Sequence, residues 1–519
     1  MEGTLPDKMM PMPGISSGLF LIAALALVVL TVVVPWLLDI RRSNLTTPSA
    51  AYPRLNLLGN DAIKALIRTR PFQFILRLPF VLIFLFIIFA GLFGTKAPGK
   101  NIVPLLTWTF WWTALIFFVL FLGKIWCLVC PWNAIAEWIQ RLTLWGKKET
   151  TISLNLRWPG RLRNIYLATG LFVGLTWLEL GFGVTVSPLA TALLSLLMLA
   201  MAVIPALYFD RKPFCRYGCL VGRISGLYAL FSPVELRAGD KEVCLTGCHT
   251  NDCIRGNDQG YGCPTNEYLG TMDLNTYCIL CSECIKTCPY DNLVFNLRPF
   301  SMDLVKSIRL RPDEAYLSLA LLSLTIFHGL TMTPAWGKSV LELRDAFGIG
   351  DPGQVLAFSL GMVLVLAVPV LVFLGVSWVS KKLGRLERTR EVFIAYAYAL
   401  LPLALLYHAA HNVQHLLREG QKIMPLLSDP MGWGWDLFGT ATWKVAPLAS
   451  MGSIQYTQVA LVLLGHAFTA FVAYRISLRQ SAVRADALRS LAPVLIIALG
   501  FSLVNLWLLA QPMQMRSAM

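Results

Sequence analysis

Charge is scarce in this chain. Only 14% of its 519 residues are charged and 56% are hydrophobic, whereas an ordinary soluble domain carries about 25% charged residues. The shortage excludes a soluble globular enzyme and a disordered segment. Acidic residues are the scarcer sign, 29 against 44 Lys plus Arg, which leaves a net charge of +15. The surplus cations lie between apolar runs. That placement fits the basic loops of a membrane protein and argues against a nucleic-acid binder. Cysteine is absent from both ends of the chain, and all twelve lie between Cys127 and Cys288. They are too few for a disulfide scaffold of this length, so one region uses them for another purpose. No Gly-rich nucleotide fingerprint opens a helix and no catalytic triad is evident. Histidine is rare, with six in all.

Long apolar runs are abundant. Ten are long enough to cross a bilayer, which takes about 20 residues per helix. They cover 17–38, 72–94, 104–123, 165–186, 187–209, 315–332, 355–379, 392–415, 454–476 and 491–510. The first reads as a retained helix, because only Lys8 precedes it and no small-residue cleavage site stands out. Every second connection is rich in Lys and Arg, as in 380–390 with its run SKKLGRLERTR. The positive-inside rule puts these connections on the cytoplasmic side and both termini outside. All twelve cysteines then face a reducing compartment, where ligation of metal is favoured over disulfides. The expected fold is an all-α polytopic membrane protein of about ten helices with a small inserted ferredoxin-like domain. Its expected parts are 1–60 (first helix and basic loop), 61–233 (membrane core with two cysteine pairs), 234–300 (two-cluster domain) and 301–519 (a five-helix domain containing histidines).

Cys278, Cys281, Cys284 and Cys288, followed by Pro289, have the C-x2-C-x2-C-x3-C-P spacing. Three close thiolates wrap one corner of an iron–sulfur cube, and the fourth serves a neighbouring cube. Cys244, Cys248, Cys253 and Cys263, followed by Pro264, are a stretched copy. Crossed ligation is therefore expected. Cys278, Cys281, Cys284 and Cys263 would hold one [4Fe–4S] cluster, and Cys244, Cys248, Cys253 and Cys288 the other. Cys127 and Cys130 follow the third apolar run, and Cys215 and Cys219 follow the fifth. These four could form a third iron–sulfur centre at the membrane surface, a redox dithiol pair, or two reduced structural pairs.

A membrane-end Cys-Pro pair, a second pair after a later helix and then a double ferredoxin motif resembles the NapH- and NosR-type membrane polyferredoxins. The maturation protein CcoG (also called RdxA or FixG) has a related core. The resemblance covers about 72–300 and leaves the half after Arg311 unexplained. It implies a bacterial inner (cytoplasmic) membrane protein that passes electrons to or from a respiratory partner oxidoreductase. Through CcoG it also implies an alternative, a cupric reductase or metal-centre assembly factor.

Five histidines occur in the late helices: His328, His408, His411, His415 and His466. An intramembrane histidine is costly and is functional by default. At about 100° per residue, His408, His411 and His415 form one stripe, and at about 1.5 Å per residue His408 stands about 26 Å from Glu391. His328 stands about 21 Å from Glu314 by the same measure, so both reach the outer half of the membrane. The stripe suits a b-type haem that pairs His408 or His411 with His328 or His466, or a quinone site, or copper. Met9, Met10, Met12, Met513 and Met515 lend copper some support. His249 reads as structural. The remaining rival is a non-redox transporter. The helices carry no evident ionisable residue besides histidine, which speaks against it. The expected function is an electron-transfer subunit linking cytoplasmic clusters to a haem or quinone in the outer half of the membrane, in contact with lipid and redox partner proteins and with no nucleic acid.

Overall fold

The computed structural model describes residues 11–40, 52–146, 151–306, 311–348 and 350–514. Met9, Met10 and Met515 lie outside them. Among the described residues nine helices are long and apolar enough to cross a membrane: α1 (Ser17–Ile40), α2 (Phe72–Phe93), α3 (Ile102–Leu122), α5 (Pro188–Tyr208), α6 (Pro312–Thr331), α7 (Asp351–Leu383), α8 (Thr389–Ser428), α9 (Met451–Gln480) and α10 (Arg484–Ala510). The tenth apolar helix, α4 (Tyr166–Phe182), is shorter. It turns through Gly183, at φ 65°, into α5. The fold is that of a multi-pass membrane protein.

Composition decides where each helix sits. α1 is apolar all round and buries only Ala23, Leu27 and Pro35, so its remaining aliphatic side chains are free to face lipid. α8 is the opposite case. It carries three histidines, Asn412 and Gln414, and it is buried along most of its length between α3, α6 and α9. Polar groups at bilayer depth must face protein, which puts this helix in the middle. Pro402 has no N–H to give to the turn before it, and there, at Tyr398–Leu400, the helix tightens into a single 3-10 turn. Gly465 of α9 lets the two backbones approach, since a Cβ there would come 3.3 Å from the Leu403 Cα. One hydrophobic core runs from Phe84 through Phe327 to Leu508, so both halves of the chain share it.

Outside the bundle, β1 (Leu55–Asn56), β2 (Val234–Ala238) and β3 (Leu293–Leu297) form an antiparallel sheet in the order β1-β3-β2. Val234 pairs with Leu297 and Ala238 with Leu293. This ribbon closes the base of the cysteine-rich segment 239–292. Beneath it Glu235, Arg237, Arg298 and Asp303 form a buried ion network. Arg298 reaches Glu235 at 2.8 Å and Arg237 reaches Asp303 at 2.9 Å. Burial opposes ionisation of both carboxyls. The two guanidinium groups outweigh it and hold Asp303 and Glu235 below the usual carboxylate range. Depressed values mean that this stabilisation is present above the unfolded pKa of about 4 and is lost as the pH falls through the folded values. Asp303→Ala leaves Arg237 and Arg298 to share Glu235 as their one buried carboxylate and should cost about 3–5 kcal/mol. Thermal unfolding of the detergent-solubilised protein should show this at pH 7, with the gap to wild type narrowing in acid.

Candidate metal centres and the histidine cavity

The segment closed by β2 and β3 holds eight of the twelve cysteines. Burial pushes Cys278 up to about 12, with Cys263 the nearest like charge that adds to it. Cys281 and Cys284 are raised by burial and by the same neighbours. Leu280 and Ser282 adopt positive φ, 51° and 61°, which curls the chain between these cysteines. The Glu267 amide donates to Cys263 Sγ at 3.3 Å. Cys253 is raised to about 11, first by burial and then by Cys244, Cys248 and Cys288. Asn292 Nδ2 donates to Cys244 Sγ at 3.4 Å. These neighbours associate Cys263 with Cys278, Cys281 and Cys284, and Cys288 with Cys244, Cys248 and Cys253, the sets that crossed ligation would use, while Cys253 also neighbours Cys284. Among the described residues no three His, Cys, Asp or Glu side chains converge on a single-ion site. Thiols around a four-iron cube stand farther apart than those around one ion.

The third group lies at the ends of α3 and α5. After Gly123 (φ 61°) the chain enters the short helix Ile125–Val129, which carries Cys127, and Cys130 then caps Pro131–Arg141. Cys215 lies in the wide turn Phe214–Gly218, and Cys219 caps Leu220–Tyr228 with its sulfur accepting from the Gly222 amide at 3.3 Å. All four thiols line one small cavity with Trp126, Trp132 and Asn133. Two helix N-termini point their partial positive charge at it. The indole N–H groups of Trp126 and Trp132 and the amide NH2 of Asn133 are buried and have no acceptor. Four thiols ringed by orphaned donors fit an anionic iron–sulfur cube, whose sulfides would accept those hydrogen bonds. A dithiol couple fits less well. Burial pushes Cys219 up to about 12 and raises Cys130 and Cys215, whereas thiol exchange needs an accessible thiolate.

Ile279, beside Cys278, is also in the wall of this cavity. α2 clamps both groups: Gln73 Nε2 donates to the Cys281 carbonyl at 3.1 Å and Arg77 Nε to the Leu128 carbonyl at 2.8 Å. From Trp126 and Trp132 a series of packed rings leads into the bundle. Trp111 lies 5.5 Å from Trp126 and 5.6 Å from Trp132, centroid to centroid. Trp112 lies 5.8 Å from Trp111, and His408 lies 6.1 Å from Trp112. Trp111 ends a π-helical stretch, Leu105–Trp111, a distortion frequent at functional sites.

His408 opens onto a cavity of about 500 Å³ lined also by His328, His411, His415, Glu179, Glu419 and Trp108. It lies toward the ends of α4 and α6 remote from the cysteines. His411 is 6.1 Å from His328 and 5.1 Å from His415 between ring centroids. His466 is elsewhere, with Nε2 2.8 Å from Thr31 Oγ1 and Nδ1 2.9 Å from Ser502 Oγ. Of the histidines expected to pair across a haem, His328, His408 and His411 thus line one cavity and His466 does not. His466 spends both nitrogens on hydroxyls. His328 turns Nδ1 to the Leu324 carbonyl at 3.2 Å and Nε2 to Glu179 at 3.4 Å.

Glu179 and Glu419 correct the expectation that the helices carry no ionisable residue besides histidine. Glu179 is legible as a lone acid in the apolar run 165–186. Glu419 accepts from Thr109 at 3.3 Å and stands 3.9 Å from His415. The tryptophan series carries no sequence signal distinct from ordinary apolar packing.

A family of 4Fe-4S binding domains matches residues 104–152 and 191–235. These segments hold Cys127, Cys130, Cys215 and Cys219. The match supports an iron–sulfur protein. No curated protein and no solved structure matches the chain.

Proposed function

We propose that this chain is a membrane electron-transfer subunit that connects three [4Fe–4S] clusters on the cytoplasmic side with a quinone-class carrier in the histidine cavity, and that a partner oxidoreductase supplies or removes the electrons. The observation that carries the reading is continuity. Two cysteine groups lead to a third at the membrane end, and packed tryptophan rings lead from there to the histidine cavity. Bound clusters supply one-electron storage. The protein holds them in fixed order and excludes water from the gap between them.

The cavity has the make-up of a small-molecule site: aromatic and aliphatic walls with a few converging polar groups. Quinone reduction takes two electrons and two protons, so protons must be held where the carrier's oxygens sit. Glu179 with His328 and Glu419 with His415 form two carboxylate–imidazole pairs that do this. The electrons reach the carrier by way of Trp112 and His408. A quinone is favoured over a haem because the two carboxylate–imidazole pairs supply proton carriers, which a haem would not need.

The test is reoxidation of chemically reduced protein by a short-chain quinone, followed by the return of cluster absorbance. Glu179→Gln and His328→Gln should each slow it by about 10²-fold, the low end for a lost proton-transfer group, with cluster content unchanged. An unaltered rate in both variants sinks the quinone assignment. A b-type α-band in reduced-minus-oxidised spectra would restore the haem.

A further inference from the structure

Two cations lie buried between the membrane-end cysteines and the Cys278 group. Lys124 and Arg223 are each 1% exposed. Lys124 Nζ has one modest contact, the Thr276 carbonyl at 3.2 Å. Arg223 is further from satisfaction: its Nε, Nη1 and Nη2 are all buried with no acceptor, and the guanidinium only stacks on the Tyr277 ring at 4.6 Å. No carboxylate forms an ion pair with either among the described residues. Their electrostatic neighbours are thiols. Lys124 interacts with Cys127, Cys219 and Cys278, and Arg223 with Cys215 and Cys219. The backbone is shaped to bring these parts together, because a Cβ on Gly226 would come 2.4 Å from the Thr276 carbonyl and 3.7 Å from Lys124 Nζ.

A buried cation without a counter-charge costs several kcal/mol. Two such cations side by side, which also repel each other, call for an anion that the polypeptide does not provide. A cube held by four thiolates is a net anion in both redox states and gains one further negative charge on reduction. We propose that Lys124 and Arg223 are positioning residues that act as a shared counter-charge for two adjacent clusters, the membrane-end one and the Cys278 one, and raise the reduction potentials of both. This rests on the reading that the membrane-end cysteines hold a cluster. Stabilising the reduced state on both sides of one gap raises the two potentials together and leaves the step between them little changed.

Redox titration of the full-length purified protein, followed by frozen-solution EPR, tests the proposal. Lys124→Gln and Arg223→Gln should each lower the reduced fraction at a fixed ambient potential, with the reduced-to-oxidised ratio changing by about tenfold, or about 59 mV for one electron. The signal of the Cys244 group should stay in place. The charge-keeping variants Lys124→Arg and Arg223→Lys should titrate close to wild type. Should a neutral variant fail to assemble the cluster while its charge-keeping partner succeeds, the counter-charge role is again supported. Potentials unmoved in both neutral variants, or shifted equally in neutral and charge-keeping ones, overturn it. Wild-type protein with only two cube signals would instead refute the membrane-end cluster itself, so the two failures are distinguishable.

Discussion

Cys219→Ala protein should keep its two outer clusters and lose its connection to the membrane. Iron should fall from about twelve to about eight atoms per chain, with sulfide in proportion. Reoxidation of the remaining reduced clusters by quinone should drop to the rate seen without added quinone. The reason is geometric. Cys219 lies in the wall shared with Cys127, Cys130 and Cys215, and without its thiolate the cube has no fourth protein ligand on that side. Trp126 and Trp132 would still stand in place, but the Cys278 group would face them across an emptied cavity. Iron and sulfide analysis with EPR decides the matter. Unchanged iron with unchanged reoxidation would mean that these thiols hold no cluster.

Cys281→Ala is expected to have the second-largest effect, and of a different kind. Cys281 is 8% exposed, and the carbonyl of this residue accepts from Gln73 of α2. Losing the thiol should remove one cube signal. It should also disturb the neighbouring group, because the Cys288 amide bonds to the Cys284 carbonyl at 3.1 Å and the Cys263 amide to the Cys253 carbonyl at 2.9 Å. Each group is thus built on backbone that the other also uses. EPR should show loss of one signal and broadening of the second, while the membrane-end signal persists. Two intact cube signals from the outer segment would refute this assignment of Cys281. Zinc in place of iron in anaerobically prepared protein would refute cluster ligation by the segment altogether.

The helices of the bundle were legible because a bilayer imposes one demand that composition alone can answer: about 20 apolar residues with every backbone group bonded internally. Among the described residues nine such helices and a shorter tenth follow directly from the apolar runs. The histidines were legible as unusual for the same reason. Their destinations were not. His328 and His466 looked equivalent as isolated imidazoles in apolar runs, yet one faces Glu179 in a cavity and the other is bonded to Thr31 and Ser502. Depth along a helix can be counted from the sequence, but the neighbour across the interface cannot.

What the sequence by itself determined is the class of molecule: a multi-pass membrane protein with cysteines confined to one stretch. Hydropathy is a property of single segments, and close cysteine spacing is a property of a few consecutive residues. The tertiary structure decided what required distant segments to meet. It brought Cys127 and Cys130 beside Cys215 and Cys219, stacked Trp111 and Trp112 toward His408, placed Glu179 opposite His328, and buried Lys124 and Arg223 without a carboxylate. Each of these joins residues tens to hundreds of positions apart, and a contact at that separation depends on how whole helices pack, which no local pattern encodes.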